Sequence, residues 1–362
     1  MEILPGLIDS AAVLRMQGTT DAIHREFRAG QLVRIRRGFY VRTKDWLSAR
    51  PSERFAWTTA AVSRSVKGAV LCGETAALAN GLPTLRTPAC VELATTLPGR
   101  SGVRRSPLTV LGEDATSRQV RELRSYPLRY CLKPAIETVV RGEFRCTSPV
   151  QTGLDLMVGG NLGQALVVAD GLARMLHRQG TLPADASLRS LPRIVAGISS
   201  YPHSSAKRRA ERVAALASPL AESVGESYSR AAFEFLGFEQ PVLQQVFRDA
   251  DGFIGRADCW WPRNRVAGEF DGKAKYVEAA VRGEASAEEA VYREKLRDDR
   301  TRALGLRFVR WGWAAVENPE RLKRKLLAAG LRPQIRGQFA NPRLEGSVSR
   351  TIPGAERSHG GG

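Results

Sequence analysis

Residues 254–273 read IGRADCWWPRNRVAGEFDGK, two apolar and aromatic runs on either side of the polar segment 262–265. We expect two strands of a hairpin, because a Pro-Arg-Asn-Arg segment between strand-forming runs favours a turn. A turn centred between Arg263 and Asn264 places Asp258 opposite Glu269. Since side chains alternate along a strand, Asp271 and Lys273 fall on the face of Glu269.

Three carboxylates and a lysine on one hairpin face are typical of a functional site and are an unusual way to stabilise a fold. Like charges directly opposite each other destabilise a strand pair, whereas Mg²⁺ binds carboxylate oxygens and keeps several waters. Such an ion can polarise a phosphate and activate a water, and a lysine can stabilise charge that develops on phosphorus. The alternative is a solvated face whose acids pair with Arg256 or Arg265, and spacing alone leaves both interpretations open.

The pattern of Asp258 followed by Glu-Phe-Asp-Gly-Lys at residues 269–273 resembles the core of the PD-(D/E)XK nuclease superfamily. It is most similar to the small, very-short-patch-repair-like branch, over about residues 222–331. The resemblance implies a mixed sheet with helices on both sides and a domain spanning residues 222–335. It also implies that Glu226, on the first helix of that domain, is the upstream acid of the site.

The resemblance further implies a role for each acid. Glu226, Asp258 and Glu269 would hold Mg²⁺ or Mn²⁺, with Asp258, Glu269, Asp271 and Lys273 as the catalytic set and Lys273 as the electrophile. The superfamily's lysine stands two residues after the glutamate, where this chain has Asp271. Lys273 or Lys275 would then substitute for it, or the site binds metal without cleaving.

Length and charge point to a multidomain protein with a polyanionic partner. The 362 residues suffice for two or three domains, and 43% of them are hydrophobic, as in globular proteins. The net charge is +18 and the isoelectric point about 10.4. The excess of arginine along nearly the whole chain favours nucleic acid as the partner. An arginine-rich proteome, without functional meaning, is the alternative.

The five cysteines show no CxxC spacing, and their odd number speaks against a disulfide framework. No basic segment followed by an apolar one opens the chain, and no apolar run has the length of a membrane span. We therefore expect reduced thiols, no disulfide, no membrane insertion and a cytoplasmic location. The four histidines are isolated in sequence and suggest neither a metal site nor a Ser-His-Asp arrangement.

The first forty residues predict two helices. Ser10 would cap a helix that ends at Met16, and Thr20 would cap a second helix over residues 21–29. Gly30 would end the second helix in the left-handed conformation typical of a C-cap.

Two strand-like runs follow, at residues 32–35 and 39–42, and complete a winged helix-turn-helix over residues 1–50. The second helix would enter the major groove and the basic hairpin would lie along the phosphates. The candidate DNA-binding residues are Arg25, Arg28, Arg34, Arg36 and Arg37. The alternative is a small helical subdomain with an arginine-rich surface.

Residues 30–40, GQLVRIRRGFY, resemble the wing of AbiEi-type antitoxins, the transcriptional repressors of a phage-defence toxin–antitoxin class. Residues 69–83 and 147–157, followed by 165–170, match the next region of the same family, so the resemblance spans roughly residues 5–180. Where the family usually carries a serine-histidine pair, this chain has Cys72 and Gly73. The resemblance implies a middle domain over residues 51–182 and a cognate toxin as a possible partner.

The remaining segments are predicted to form a linker, a long polar helix and a tail, and the helix offers further candidate phosphate contacts. Residues 183–221 read as a helical linker, and residues 336–362 as a disordered tail. A long polar helix over residues 284–304 carries Arg293, Arg297 and Arg300 at i, i+4 and i+7, either as a guide for a phosphate backbone or as a salt-bridged face. Asp155 and Asp170 are expected to form caps or salt bridges.

The sequence thus predicts an α/β (α+β) protein, with a winged helix, a middle α/β domain and a mixed-sheet nuclease-like domain. The favoured function is binding of DNA and Mg²⁺-dependent endonuclease hydrolysis of its phosphodiesters, in phage defence or DNA repair. The competing function is a non-catalytic repressor or antitoxin of a type IV toxin–antitoxin system. An RNA-binding regulator is a third option.

Overall fold

The computed structural model of the protein describes residues 5–112, 114–133, 135–272, 300 and 303–334. Helices and mixed sheets make up these residues, which confirms the α/β class. Within the same ranges, no helix combines the length and the apolar character that crossing a membrane requires. All five cysteines are free thiols.

The two amino-terminal helices form as predicted, with a correction to their caps. They are α1 (Ser10–Gln17) and α2 (Asp21–Arg28). Asp9, not Ser10, is the N-cap of α1, because its carboxylate accepts hydrogen bonds from the backbone N–H groups of Ala11 at 3.0 Å and Ala12 at 3.3 Å. Thr20 occupies the N-cap position of α2 without a side-chain capping bond. Gly30 has the expected positive φ, 71°.

The basic hairpin lies in a small three-stranded sheet of order β1-β3-β2. The strands are β1 (Ile8–Asp9), β2 (Leu32–Arg36) and β3 (Phe39–Arg42), and the helix α3 (Thr43–Ser48) follows. Val33 and Ile35 pack in one core with Trp57, which belongs to the next helix, and with Val110, which lies further along the chain. The hydrophobic core therefore continues across residue 50.

The next part of the chain surrounds two small sheets with helices. In one sheet β4 is parallel and β5 antiparallel to β6, and in the other β7 is antiparallel to β8. The strands are β4 (Val91–Thr95), β5 (Gly102–Arg104), β6 (Leu128–Leu132), β7 (Thr138–Arg141) and β8 (Phe144–Thr147). The helices are α4 (Pro51–Ser65), α5 (Gly73–Ala79) and α6 (Ala115–Glu122).

Four helices then form the centre of the molecule: α7 (Pro149–Gly159), α8 (Leu162–Arg178), α9 (Pro192–Ser199) and α10 (Ser204–Leu216). Most of α8 is buried, and its apolar residues share one cluster with α9, α10 and the carboxy-terminal region. Residues 183–221 are thus packed into the core, and a break at residues 200–203 divides the predicted helical segment into two helices.

Two buried acids in these helices form ion pairs, as predicted. The Nη1 atom of Arg230 lies 2.9 and 2.8 Å from the two carboxylate oxygens of Asp170, and neither residue is more than 4% exposed. Lys133 Nζ lies 2.9 Å from Asp155 Oδ2. The first pair ties α8 to the carboxy-terminal region.

The carboxy-terminal region places α11 (Val224–Leu236) on a four-stranded sheet of order β12-β11-β10-β9. The strands are β9 (Val242–Asp249), β10 (Gly252–Trp261), β11 (Val266–Phe270) and β12 (Arg307–Trp311), and the closing helices are α12 (Trp313–Val316) and α13 (Pro319–Ala328). Only the pairing of β12 with β11 is parallel among the described strands of this sheet, so it is mixed, as expected.

An aromatic cluster holds α11 against this sheet. The ring of Phe233 lies 5.3 Å from that of Trp261 and 5.4 Å from that of Trp311. Phe233 is fully buried, whereas Phe235 is half-buried. This packing fixes the first turn of α11, which carries Glu226, relative to the hairpin.

Candidate functional site

The hairpin has the register predicted from its turn. Cys259 pairs with Gly268 and Trp261 with Val266, and the turn runs through residues 262–264 to Arg265, which has a φ of 49°. The same register, continued by one position, places Asp258 opposite Glu269.

The side chain of Asp258 forms a hydrogen bond across the hairpin at the point where the backbone pairing of the two strands ends. Its Oδ2 accepts a hydrogen bond of 2.9 Å from the backbone N–H of Phe270. Asp258 is only 8% exposed. The carboxylate is therefore held in the gap between β10 and β11, at the end of the hairpin remote from the turn.

Glu226 reaches the same region from the first turn of α11. Its Oε1 accepts a hydrogen bond from Ser223 Oγ at 2.7 Å, and its Oε2 accepts one from the backbone N–H of Glu222 at 2.9 Å. The N–H of Glu226 in turn donates to Ser223 Oγ at 3.2 Å. This Ser-x-x-Glu arrangement is a helix-capping pattern, so Glu226 has a structural role alongside its position in the site.

Glu226 and Asp258 interact electrostatically. Burial, and then the negative charge of Asp258, raise the pKa of Glu226 from its ordinary value of 4.5. Desolvation and a like charge both disfavour an ionised carboxyl. A cation or a proton at this point would relieve the repulsion.

Gln244 is a site residue that sequence reasoning missed. It lies on β9 between Leu243 and Gln245, whose backbones pair with those of Cys259 and Ala257, so it faces Asp258 in the register. Its Nε2 donates to Glu226 Oε2 at 3.1 Å. Its φ is 56°, which is costly for a residue with a side chain and is often found at functional sites. No sequence signal marks it, because neither neighbour is Gly, Asn or Pro.

Glu269 and Asp271 lie beside the parallel strand β12. Glu269 pairs in register with Arg310, whose Nε lies 3.4 Å from Glu269 Oε2. The N–H of Asp271 donates to the carbonyl oxygen of Trp311 at 2.8 Å, so this residue continues the ladder past the end of β11. Lys273 and Lys275 lie outside the described residues.

The two arginines proposed as counter-charges for the hairpin acids have other partners. Arg256 Nη2 donates to Glu222 Oε2 at 2.7 Å. Arg265 donates to the backbone carbonyl oxygens of Leu304 and Gly305. Neither contact neutralises Asp258 or Glu269, but Glu269 pairs with Arg310, so the salt-bridged interpretation holds for this acid with a different arginine from those proposed.

The acids of the hairpin could hold a metal ion only with further ligands. No group of three His, Cys, Asp or Glu side chains able to hold a metal occurs in the part of the chain that the structure describes. Mg²⁺, however, commonly binds through one or two carboxylates and is completed by phosphate oxygens of the substrate and by water. Asp258 and Glu269, opposite each other on adjacent strands, fit a site of that kind. Glu226 already accepts hydrogen bonds from three donors and interacts electrostatically with Asp258.

The candidate DNA-binding arginines of the first region divide into two groups. Arg25, Arg28 and Arg37 are exposed, on α2 and at the hairpin turn. Arg34 is half-buried, with its guanidinium 5.3 Å from the ring of Phe27, and burial lowers the pKa of the half-buried Arg36. The first group is accessible to a phosphate backbone without rearrangement.

Of the three arginines on the predicted long polar helix, only Arg300 is among the described residues. Its Nε donates to Asp249 Oδ2 at 2.8 Å, and its Nη1 donates to the carbonyl oxygen of Phe253 at 3.3 Å. These contacts dock Arg300 on the β9–β10 connection. Arg293 and Arg297 lie outside the described residues.

At Gly73, where the resembled antitoxins carry a histidine, a side chain would be strained and would require Glu92 to move. Its φ is 56°, and a Cβ there would lie 2.1 Å from Oε2 of Glu92. That same oxygen accepts a hydrogen bond of 2.8 Å from the N–H of Glu74. Burial and the charge of Glu92 raise the pKa of Glu74 to about 7. A buried carboxylate thus occupies the space that the histidine would need.

Comparisons with protein-family models, with curated proteins and with solved structures find no match to this chain. The two resemblances drawn from the sequence motifs therefore stay predictions.

Proposed function

We propose that this protein binds DNA and hydrolyses its phosphodiesters with the help of a divalent cation. The observation that carries the proposal is the placement of Asp258 opposite Glu269, one position beyond the paired part of the hairpin, with Glu226 in electrostatic contact. A net charge of +18 supports a nucleic acid as the partner. The arrangement of α1, α2 and the β2–β3 hairpin supports a winged helix as the element that places the protein on DNA.

Each acid has a distinct task in this proposal. Asp258 and Glu269 hold the cation, and the hydrogen bond from Phe270 N–H keeps the Asp258 carboxylate in one orientation. Glu226, fixed by Ser223 and Gln244, adds negative potential behind them and strengthens the attraction of the site for a cation. Asp271 is the auxiliary acid on the open side.

A Mg²⁺ or Mn²⁺ ion bound there would polarise the scissile phosphate and lower the pKa of a bound water. Arg310, 3.4 Å from Glu269 Oε2, orients that carboxylate. The proposal gives Lys273 the role of stabilising charge on the phosphate, as the resemblance to PD-(D/E)XK nucleases implies.

Cleavage of a labelled DNA duplex in Mg²⁺, in Mn²⁺ and in EDTA tests this proposal. The wild type is expected to cut in either metal, and Glu269→Gln is expected to lose cleavage while its DNA affinity changes less than about threefold. Glu211→Gln, an exposed acid on α10, serves as the matched control and should cut like the wild type. A wild type that neither cuts nor gains thermal stability on addition of either metal contradicts the proposal.

Two observations favour a second function, a non-catalytic repressor or antitoxin. The carboxylate of Glu226 accepts hydrogen bonds from Ser223, Gln244 and the backbone N–H of Glu222, as in a purely structural cap. Asp271 also occupies the position of the superfamily's lysine. In that case the carboxy-terminal region clamps DNA or a cognate toxin, and the protein represses transcription from a bound promoter without cutting it at any metal concentration.

A further inference from the structure

A cavity of about 940 Å³ lies between the middle helices and the start of the carboxy-terminal region. Its walls come from the beginning of α4, from the loop over residues 81–87 and from the last two turns of α8. Glu222, just before α11, closes one side. The volume is in the range of pockets that hold small organic ligands. None of the described residues of the acid centre, which are Glu226, Asp258, Glu269 and Asp271, lines it.

The loop over residues 81–87 is fixed on α8, so the cavity is preformed. The N–H of Leu85 donates to Gln164 Oε1 at 2.8 Å, and the N–H of Leu82 donates to the carbonyl oxygen of Ala77 at 2.8 Å. A Cβ at Gly171 would lie 2.2 Å from Cδ of Pro83, so helix and loop are in direct contact. Little conformational entropy would be lost when a ligand enters.

Three guanidinium groups line this cavity: those of Arg86, Arg174 and Arg178. Arg174 and Arg178 are four residues apart on α8 and therefore lie on the same face, where like charges repel. Arg174 donates to the carbonyl oxygen of Ala221, and neither it nor Arg178 forms an ion pair within the described residues. Arg86 pairs with Glu317 at 3.3 Å, with 63% of its side chain exposed.

Glu222 is the one acid among the described lining residues, and its carboxylate pairs with another arginine. It lies 2.7 Å from Arg256 Nη2. The remaining wall is largely apolar and includes Leu78, Leu82 and Met175. The lining therefore combines cationic groups with an apolar surface that can receive the organic part of a ligand.

The geometry points to a binding site for a phosphomonoester of nucleotide size. Two charges on the phosphate match two or three guanidiniums, which bind phosphate oxygens through paired N–H donors. The body of the ligand lies against the apolar wall. The phosphate comes either from a free nucleotide or from the 5′ end of a DNA strand, and the chemistry recognised is the same in both.

One short segment, residues 221–222, connects this site to the acid centre. The carbonyl oxygen of Ala221 accepts from Arg174, and the N–H of the next residue, Glu222, donates to Glu226 Oε2 at 2.9 Å. A phosphate that engages Arg174 thus acts on the chain at Ala221, five residues before Glu226. The binding site itself is independent of whether the acid centre cleaves DNA.

Isothermal titration calorimetry with the full chain in EDTA tests the site. The probes are adenosine 5′-monophosphate, adenosine, inorganic phosphate, and a tetranucleotide with and without a 5′-phosphate. We expect saturable binding of adenosine 5′-monophosphate or of the 5′-phosphorylated tetranucleotide, and at least tenfold weaker binding of the same compound without phosphate. Preference for the first identifies a free nucleotide as the ligand, and preference for the second identifies a DNA end.

Arg178→Gln is the main variant, because the side chain is exposed and its replacement does not disturb the core. It is expected to weaken phosphate binding about tenfold, and Arg174→Gln at least as much. Arg193→Gln, an exposed arginine on α9, should bind like the wild type. The proposal is overturned if no phosphorylated probe binds saturably, or if Arg178→Gln binds as tightly as Arg193→Gln.

Discussion

A Cβ atom on Gly225 would lie 2.0 Å from Cε1 of Phe270. The helix that carries Glu226 therefore touches the strand that carries Glu269 through a glycine, with no room for a methyl group. This contact sets the distance between the two acid-bearing elements, since Glu226 is the next residue after Gly225 and Phe270 the next after Glu269.

Gly225→Ala should accordingly destabilise the protein by about 1–3 kcal/mol through overpacking. We expect a lower melting temperature and, if the acid centre is catalytic, a loss of cleavage that exceeds the loss of folded protein. Gly159→Ala is the matched control, because that helical glycine has no atom within 4 Å of the added Cβ and an alanine there should be neutral or stabilising. Equal melting temperatures for the two variants would contradict the close contact.

The acid pair makes stability depend on pH. Burial and Asp258 raise the pKa of Glu226, so the folded state binds this proton more tightly than the unfolded state does. The free energy of unfolding should then fall as the pH rises from about 4.5 through the raised pKa. Asp258→Asn keeps an oxygen for the N–H of Phe270 but removes the charge, so the fall should become smaller.

Urea denaturation of both proteins at several pH values between 4 and 8, in EDTA, measures this difference; the range follows from the direction of the shift. Glu211→Gln should retain the pH dependence of the wild type. If Asp258→Asn and the wild type lose the same free energy of unfolding over this range, then Asp258 does not act on Glu226.

The buried pair of Asp170 and Arg230 should show strong coupling. Removing one partner leaves the other charge buried without compensation, and Arg230→Met is expected to cost about 3–5 kcal/mol. The double variant Asp170→Leu with Arg230→Met removes both charges and should be more stable than Arg230→Met alone. Chemical denaturation of the two single variants and the double variant gives the coupling energy, and simple additivity would refute the pairing.

Binding of DNA should depend steeply on salt, and the exposed arginines should account for part of that slope. Each phosphate contact adds about −0.9 to the slope of log K against log salt concentration. A variant with Arg25, Arg28 and Arg37 all changed to Gln should show a shallower slope and weaker binding to every sequence. Arg189→Gln, an exposed arginine elsewhere, controls for net charge, and fluorescence polarisation provides the measurement. An unchanged slope in the triple variant would place the DNA on another surface.

The parts of the fold that the sequence predicted are those specified by local rules. The hairpin register followed from the composition of one turn, and the second amino-terminal helix followed from its flanking Thr20 and Gly30. The N-cap of α1 was misplaced by one residue, because Asp9 and Ser10 are both good caps and only the backbone geometry distinguishes them.

Features that depend on distant segments were not predictable in this way. Gln244 joins the acid centre through an unusual backbone conformation, and the residues next to it in the sequence do not predict that conformation. The arginine-lined cavity combines residues about ninety positions apart, from Arg86 to Arg178. Arg36 looked like a surface residue in the hairpin, but tertiary packing half-buries it. Single-sequence patterns carry no information on such long-range contacts without related sequences.

Helix α8 is buried among residues that precede it and residues that follow it in the chain, and this limits how the protein can be divided into fragments. Leu166 and Leu172 of α8 belong to the same apolar cluster as Tyr228 and Trp261 of the carboxy-terminal region. A fragment that begins at residue 222 would leave that surface uncovered, and large uncovered apolar surfaces promote aggregation. The acid-bearing region therefore depends on α8 to cover its apolar surface. A fusion of this region to another protein would have to include α8 as well.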